Sequence, residues 1–205
     1  MTHASISNAD ATVLLPDGRR LAYIEWGDRS GPAVLLFHGG GGSRYFNPSV
    51  GAEPSEQIRL FTIDRPGFGG SDPQSRRPLR NWARDVSAFA DALEIDRFAV
   101  VGFSAGGPHA LVCGVEIPER LTALGVVSGV APIPSVEEEL DEAEQRLLLS
   151  AAEDPVAAVQ AYVATLDPAA DPTEILRGPL PEVERRFLDD AAIREMYERS
   201  LRGHV

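Results

Sequence analysis

Residues 101–107 read Val-Gly-Phe-Ser-Ala-Gly-Gly at the end of an apolar run, and Ser104 is the side chain whose setting speaks most directly for chemistry. A serine between Gly102 and Gly106, at Gly-x-Ser-x-Gly spacing, suits a sharp strand-to-helix turn that presents its hydroxyl as a nucleophile. Such a turn is strained and brings the next helix close to the strand, so it needs small neighbours. The chemistry implied is attack on an acyl carbon. That chemistry also requires a histidine base, a carboxylate to orient it, and N–H donors for the oxyanion that forms.

Donors are the easier part to find. Phe37-His38-Gly39-Gly40-Gly41-Gly42-Ser43-Arg44 puts glycines directly after a buried strand, where backbone N–H groups can crowd toward an anion with no Cβ in the way. Together with the N–H of Ala105, at the positive end of the helix after Ser104, they form an expected oxyanion hole. No Gly-Lys-Ser/Thr follows the glycines, which excludes a phosphate-binding P-loop.

The base and acid are harder to place. His3 lies near the N-terminus, and His38 sits in the glycine loop, where it is expected to prop that loop by hydrogen bonding. His109 is five residues past Ser104 on the same helix and points away from the nucleophile. His204 reaches Ser104 only if the last helix folds back over the site; it is the base candidate that the sequence leaves. Asp64 and Asp72 are expected to brace their loop, with Asp64 and Arg65 making local hydrogen bonds. Glu137-Glu138-Glu139 reads as a solvated helix start favoured by the helix dipole, with no histidine or cysteine near enough in sequence to make a metal site. Acyl transfer of this kind needs neither metal nor organic cofactor, and none is expected.

The elements that must carry these groups alternate. Ala11–Leu15 and Arg20–Trp26 flank a Pro16-Asp17-Gly18-Arg19 turn and predict an antiparallel hairpin. Apolar runs at 33–37, 58–63, 98–103 and 121–127 predict strands, with helices at 81–93 and 105–115, the first from the stripe Trp82, Val86, Phe89, Ala90 and Leu93. The class is α/β with a mostly parallel sheet. From 134 onward only helices are predicted: Ser135-Val136-Glu137-Glu138 is a capping box, and Asp154-Pro155 and Asp171-Pro172 repeat an N-cap followed by proline. The expected division is a core over 1–133 and a helical cap over 134–205.

At 205 residues the chain has room for one core. Its 19 basic and 31 acidic residues give a net charge of −12, which argues against nucleic acid, whose binding rests on a basic surface. Residues 131–205 hold 17 of the acids and 7 of the bases. No secretory signal and no run of about 20 apolar residues is visible. A lone cysteine, Cys113, reads as a small packed side chain. The expectation is a soluble, cytoplasmic protein that acts on a small molecule, with no membrane partner.

Trp26-Gly27-Asp28, His38–Arg44, Asp64-Arg65-Pro66-Gly67-Phe68-Gly69-Gly70-Ser71-Asp72 and Gly102–Ala110 stand in an order that resembles the α/β-hydrolase superfamily, in its bacterial esterase, haloperoxidase-like and proline-iminopeptidase-like branch. The resemblance implies an α/β-hydrolase fold, with Ser104 as nucleophile and the Gly40 and Ala105 N–H groups as the oxyanion hole. His38, Gly39 and Phe103 are expected to border the substrate. Gly41 replaces a proline usual in the family. The resemblance also implies eight strands, with acid and histidine after the seventh and eighth, whereas this sequence supplies six and a cap. It therefore reads as C-terminally truncated, with a serine hydrolase activity toward ester-, lactone- or peptide-like acyl groups that is weak or absent in this chain. Two alternatives stay open: a non-catalytic remnant that binds a small ligand, and assembly with a second polypeptide that supplies the last strands. If no seventh strand pairs with it, the strand at Gly125-Val126-Val127 is expected to be an uncovered apolar edge that seeks pairing.

Overall fold

The computed structural model describes residues 9–48, 57–75, 77–130, 142–154, 157–158, 160–161, 164, 169–171, 173–174 and 188–203. Six strands, β1 (Ala9–Leu14), β2 (Arg20–Gly27), β3 (Ala33–Phe37), β4 (Arg59–Ile63), β5 (Phe98–Phe103) and β6 (Leu121–Val127), form one sheet in the order β1-β2-β4-β3-β5-β6. The β1–β2 and β2–β4 pairs are antiparallel; β3–β4, β3–β5 and β5–β6 are parallel. Helices α1 (Asn81–Ala92) and α2 (Gly107–Glu116) make the crossovers, and α3 (Glu142–Glu153) and α4 (Ala191–Arg202) follow.

Strand alternation sorts the core onto two faces. Leu35, Phe37, Phe61, Ile63, Phe98 and Val100 point toward α1 and α2, where Trp82, Val86, Phe89, Ala110 and Cys113 meet them. Each large side chain fully buried there contributes about 1.5–3 kcal/mol of transfer free energy. The neighbours Leu36 and Leu60 point the other way and meet Phe46 and Met196 of α4. Cys113 is buried, donates its S–H to the His109 carbonyl, and its thiol pKa is pushed up to about 12 by burial, so it is a packed side chain.

The chain divides into one unit of Met1–Gly129 with Pro179–Val205 and another of Val130–Gly178. The segment that contains α4 thus groups with the sheet, although the sequence suggested one cap from 134 to the end. Asp190 explains where α4 starts, since its carboxylate accepts from the N–H groups of Ala192 and Ile193. In the second unit the Asp-Pro grammar appears as N-cap bonds: Asp154 accepts from Ala157 and Asp171 from Thr173. The capping box at 135–138 and the Glu137–Glu139 run lie outside the described residues.

Strand β6 is the last in the sheet, and Leu124, Val126 and Val127 are 38%, 40% and 51% exposed. Among the described residues nothing pairs with its outer edge, and no helix is long and apolar enough to cross a membrane.

Candidate active site

Ser104 stands immediately after β5, at the first residue of a single 3₁₀ turn that leads into α2, with φ +50°. A left-handed conformation is costly for a residue with a Cβ, on the order of 1–2 kcal/mol. Packing on both sides enforces it. A Cβ on Gly102 would run into the Gly106 carbonyl oxygen, and one on Gly106 would run into the Phe37 oxygen, so both glycines are demanded by close backbone approach. This is why α2 starts at Gly107, two residues after the sequence pattern placed it.

The glycine loop after β3 lies directly against Ser104. A Cβ on Gly39 would stand 3.1 Å from Ser104 Cβ, and one on Gly40 would stand 3.9 Å from Ala105 Cβ. The peptide between Gly39 and Gly40 is held at its carbonyl end by three donors: His38 Nδ1 at 2.8 Å, Arg65 Nη2 at 2.9 Å and Gly42 N at 3.3 Å. A trans peptide points its N–H opposite to its C=O, so these bonds aim the Gly40 N–H and polarise it as a donor. The Ser104 carbonyl likewise accepts from Gly107 N, which anchors the peptide that ends in the Ala105 N–H. Gly41 adopts φ +67°, a conformation closed to proline, so the loop takes a path here that the proline usual in the family would not permit.

His38 is 2% exposed, and its ring is engaged within the protein. Nε2 accepts from Arg65 N at 3.2 Å while Nδ1 donates to Gly39 O, which fixes the tautomer. The side chain is thus committed to propping the glycine loop by hydrogen bonding, as expected from sequence. Phe103 packs its ring on Phe46, 4.8 Å between centroids, and Tyr197 of α4 packs on the other part of that ring at 5.6 Å.

Sequence reasoning missed the brace from Arg65 to Gly39, 26 residues away. Asp64 bonds both within its own loop and outside it, and Arg65 reaches back to His38 and Gly39. Asp64, fully buried, accepts from Arg44 N and Nη1, both at 2.5 Å, and from Gly70 N at 2.8 Å. Asp72 is held by Arg20, whose hydrogen bond lowers the carboxyl pKa to about 2. Both aspartates thus brace the loop, as the sequence indicated.

The last helix does return to the site's edge. Ser43 N donates to Ser200 Oγ at 3.0 Å and Ser43 Oγ to the Ser200 carbonyl at 2.9 Å, and Leu201 stands beside Gly41. Gly203 packs against Ser43 and Tyr45. His204 is the next residue and, like His3, lies outside the described residues.

His109 is 7% exposed, with Nδ1 donating to Ala105 O at 3.1 Å and Nε2 accepting from Arg77 Nη2 at 3.3 Å. Burial, then the Arg65 charge, pushes its pKa down to about 4 from 6.5. Between these values the unfolded chain holds the extra proton, so stability falls as pH falls from about 6.5 to about 4. The loss across that window is expected to be about 3 kcal/mol. Urea unfolding at pH 7 and pH 4 measures it, and His109→Gln should flatten the difference.

Residues 32–187 match the family described as alpha/beta hydrolase fold. The chain belongs to the α/β-hydrolase fold family. Among curated relatives it is 38% identical over 126 residues to a 2-hydroxy-6-oxo-6-phenylhexa-2,4-dienoate hydrolase of Comamonas testosteroni, covering 58% of this chain and 41% of that protein. It is 32% identical over 126 residues to a non-heme chloroperoxidase of Streptomyces lividans, covering 60% and 45%. The crystal structure of carboxylesterase CesB from Bacillus subtilis superposes with a TM-score of 0.53 at 25% identity, covering 60% of this chain and 43% of that one. This α/β-hydrolase chain therefore spans less than half the length of the two curated relatives named.

Proposed function

We propose that this chain is a serine hydrolase that acts on ester-, lactone- or peptide-like acyl groups through an acyl-Ser104 intermediate. The observation that carries this reading is Ser104 at φ +50° with the triply held Gly39–Gly40 peptide packed against it. A strained serine beside preset N–H donors has a clear use in acyl transfer, where charge develops on the carbonyl oxygen. The carboxylesterase and dienoate hydrolase among its similar proteins support hydrolytic chemistry. Intact mass after treatment with a fluorophosphonate tests the reading: one adduct is expected on the native chain and none on Ser104→Ala. No adduct on the native chain, or one that survives Ser104→Ala, overturns it.

For the base we propose His204. Its support is the docking of α4 on the glycine loop, which leaves Gly203, the residue before His204 in sequence, against Ser43. The rate of adduct formation should then fall in His204→Ala. Turnover is expected to be weak in any case, because the described histidines, His38 and His109, are both committed elsewhere. That commitment also favours a second reading, a ligand-binding remnant, for which a short nitrophenyl ester would bind saturably without Ser104-dependent hydrolysis.

The open β6 edge is proposed as a site of pairing with another chain. It carries apolar side chains and no charge or proline that would discourage association. Val127→Lys is expected to reduce concentration-dependent light scattering while changing stability by less than about 0.5 kcal/mol.

A further inference from the structure

Arginines buried in this fold normally find carboxylates. Arg19 is held by Asp85 at 2.6 and 3.0 Å, and Arg44 by Asp64 and Asp10. Arg65 and Arg77 break the pattern. Arg65 is 6% exposed; its Nη2 is spent on the Gly39 carbonyl, its guanidinium lies over the Phe68 ring, and its Nε is buried with no partner. Arg77 gives Nη2 to His109, lies over Trp82, and leaves Nη1 buried with no partner. The fully buried indole of Trp82, in edge contact with His109 at 5.7 Å, leaves its Nε1–H unsatisfied as well.

Three N–H donors without partners, on two cations and an indole, lie about one neutral histidine, and the buried side-chain acceptor left without a partner among the described residues is Gln74 Oε1, a neutral oxygen that offsets no charge. Burial and the Arg77 charge together depress the Arg65 pKa to about 10, and no carboxylate among the described residues offsets them. The Asp85 charge does reach Arg77, but both its oxygens are already bonded to Arg19. A buried cation with no counter-charge is costly, and each buried donor without an acceptor adds to that cost. Water would satisfy the donors but would leave the charge.

We propose that Arg65, Arg77 and the Trp82 indole N–H bind a halide ion, chloride under ordinary conditions. A monatomic ion suits the setting because the donors are buried side-chain atoms among packed rings, and because it accepts from any direction. The ion lies behind the nucleophile rather than in front of it. Arg65 and His109, which hold the Gly39 and Ala105 carbonyls, are the residues it would neutralise or neighbour, so its role is to stiffen the backbone that carries the oxyanion donors.

The test needs no activity. The melting temperature of the full chain is compared in potassium chloride, bromide and gluconate at equal ionic strength, and crystals soaked in bromide are examined for anomalous scattering. A saturable rise of roughly 3–6 °C in either halide over gluconate is expected, with a bromide peak within hydrogen-bonding reach of Arg77 Nη1 and Trp82 Nε1. Trp82→Phe, which removes the N–H donor and shrinks the ring, and Arg77→Met should each abolish or strongly reduce the halide effect. Equal melting temperatures in all three salts, a halide effect unchanged in both variants, or the absence of a bromide peak at this cluster would each overturn the assignment. Should both variants fail to fold, the bromide map of the native chain decides alone.

Discussion

Gly106→Ala is expected to destabilise the fold by about 3 kcal/mol or more, which in a chain of this length is a fall of roughly 10 °C in melting temperature. The added methyl would run into the Phe37 carbonyl oxygen and approach the His38 oxygen to 2.9 Å. Neither neighbour is the far end of a flexible side chain. Both are backbone of β3 and its continuation, the stretch that leads into the oxyanion loop. Relief therefore requires the 3₁₀ turn to lift away from β3, which would strip contacts from Phe37 and Trp82, whose rings meet edge to face at 5.0 Å. The same movement would separate Ser104 from the Gly39–Gly40 peptide, so fluorophosphonate labelling should be lost even in the fraction that stays folded. Thermal unfolding with parallel labelling checks both parts. A stable, normally labelled Gly106→Ala would mean that the close approach of helix and strand is not required.

How much of this arrangement was legible in the sequence depended on the range of the interaction. Strands 33–37, 98–103 and 121–127 match the structure residue for residue, because each is an apolar run bounded by glycine, proline or charge. The elbow was legible because Gly102, Ser104 and Gly106 stand two residues apart in sequence, although the backbone that Gly106 must clear belongs to Phe37. The return of α4 was not. Ile193, Met196 and Tyr197 mark one apolar face of a helix, but spacing alone cannot say whether that face meets the cap or the sheet. The bonds that decide it join Ser43 to Ser200, 157 residues apart. The Arg65 brace and the surplus of donors around Arg77 and Trp82 were hidden for the same reason: each residue looks like ordinary surface polarity or core until three separate loops and helices are brought together.

Ser104→Gly is expected to abolish acyl-enzyme formation and, at the same time, to stabilise the fold by about 1 kcal/mol. Glycine adopts φ +50° with little penalty, so the substitution removes the strain that serine bears at the elbow. Ser104→Ala keeps the Cβ and the strain, and should match the native chain in stability to within about 0.5 kcal/mol while also losing the adduct. The pair separates two causes that a single variant would mix, since both lack the nucleophile but only one relaxes the backbone. A use for the hydroxyl would account for a β-carbon kept where glycine is more stable, although Glu94 and Ser128 also stand at positive φ, at +55° and +48°. Denaturant unfolding of the three proteins measures the strain, and labelling measures the use. If Ser104→Gly proved less stable than Ser104→Ala, the side chain would be packing rather than paying a cost for presentation, and the argument from strain to catalysis would fail.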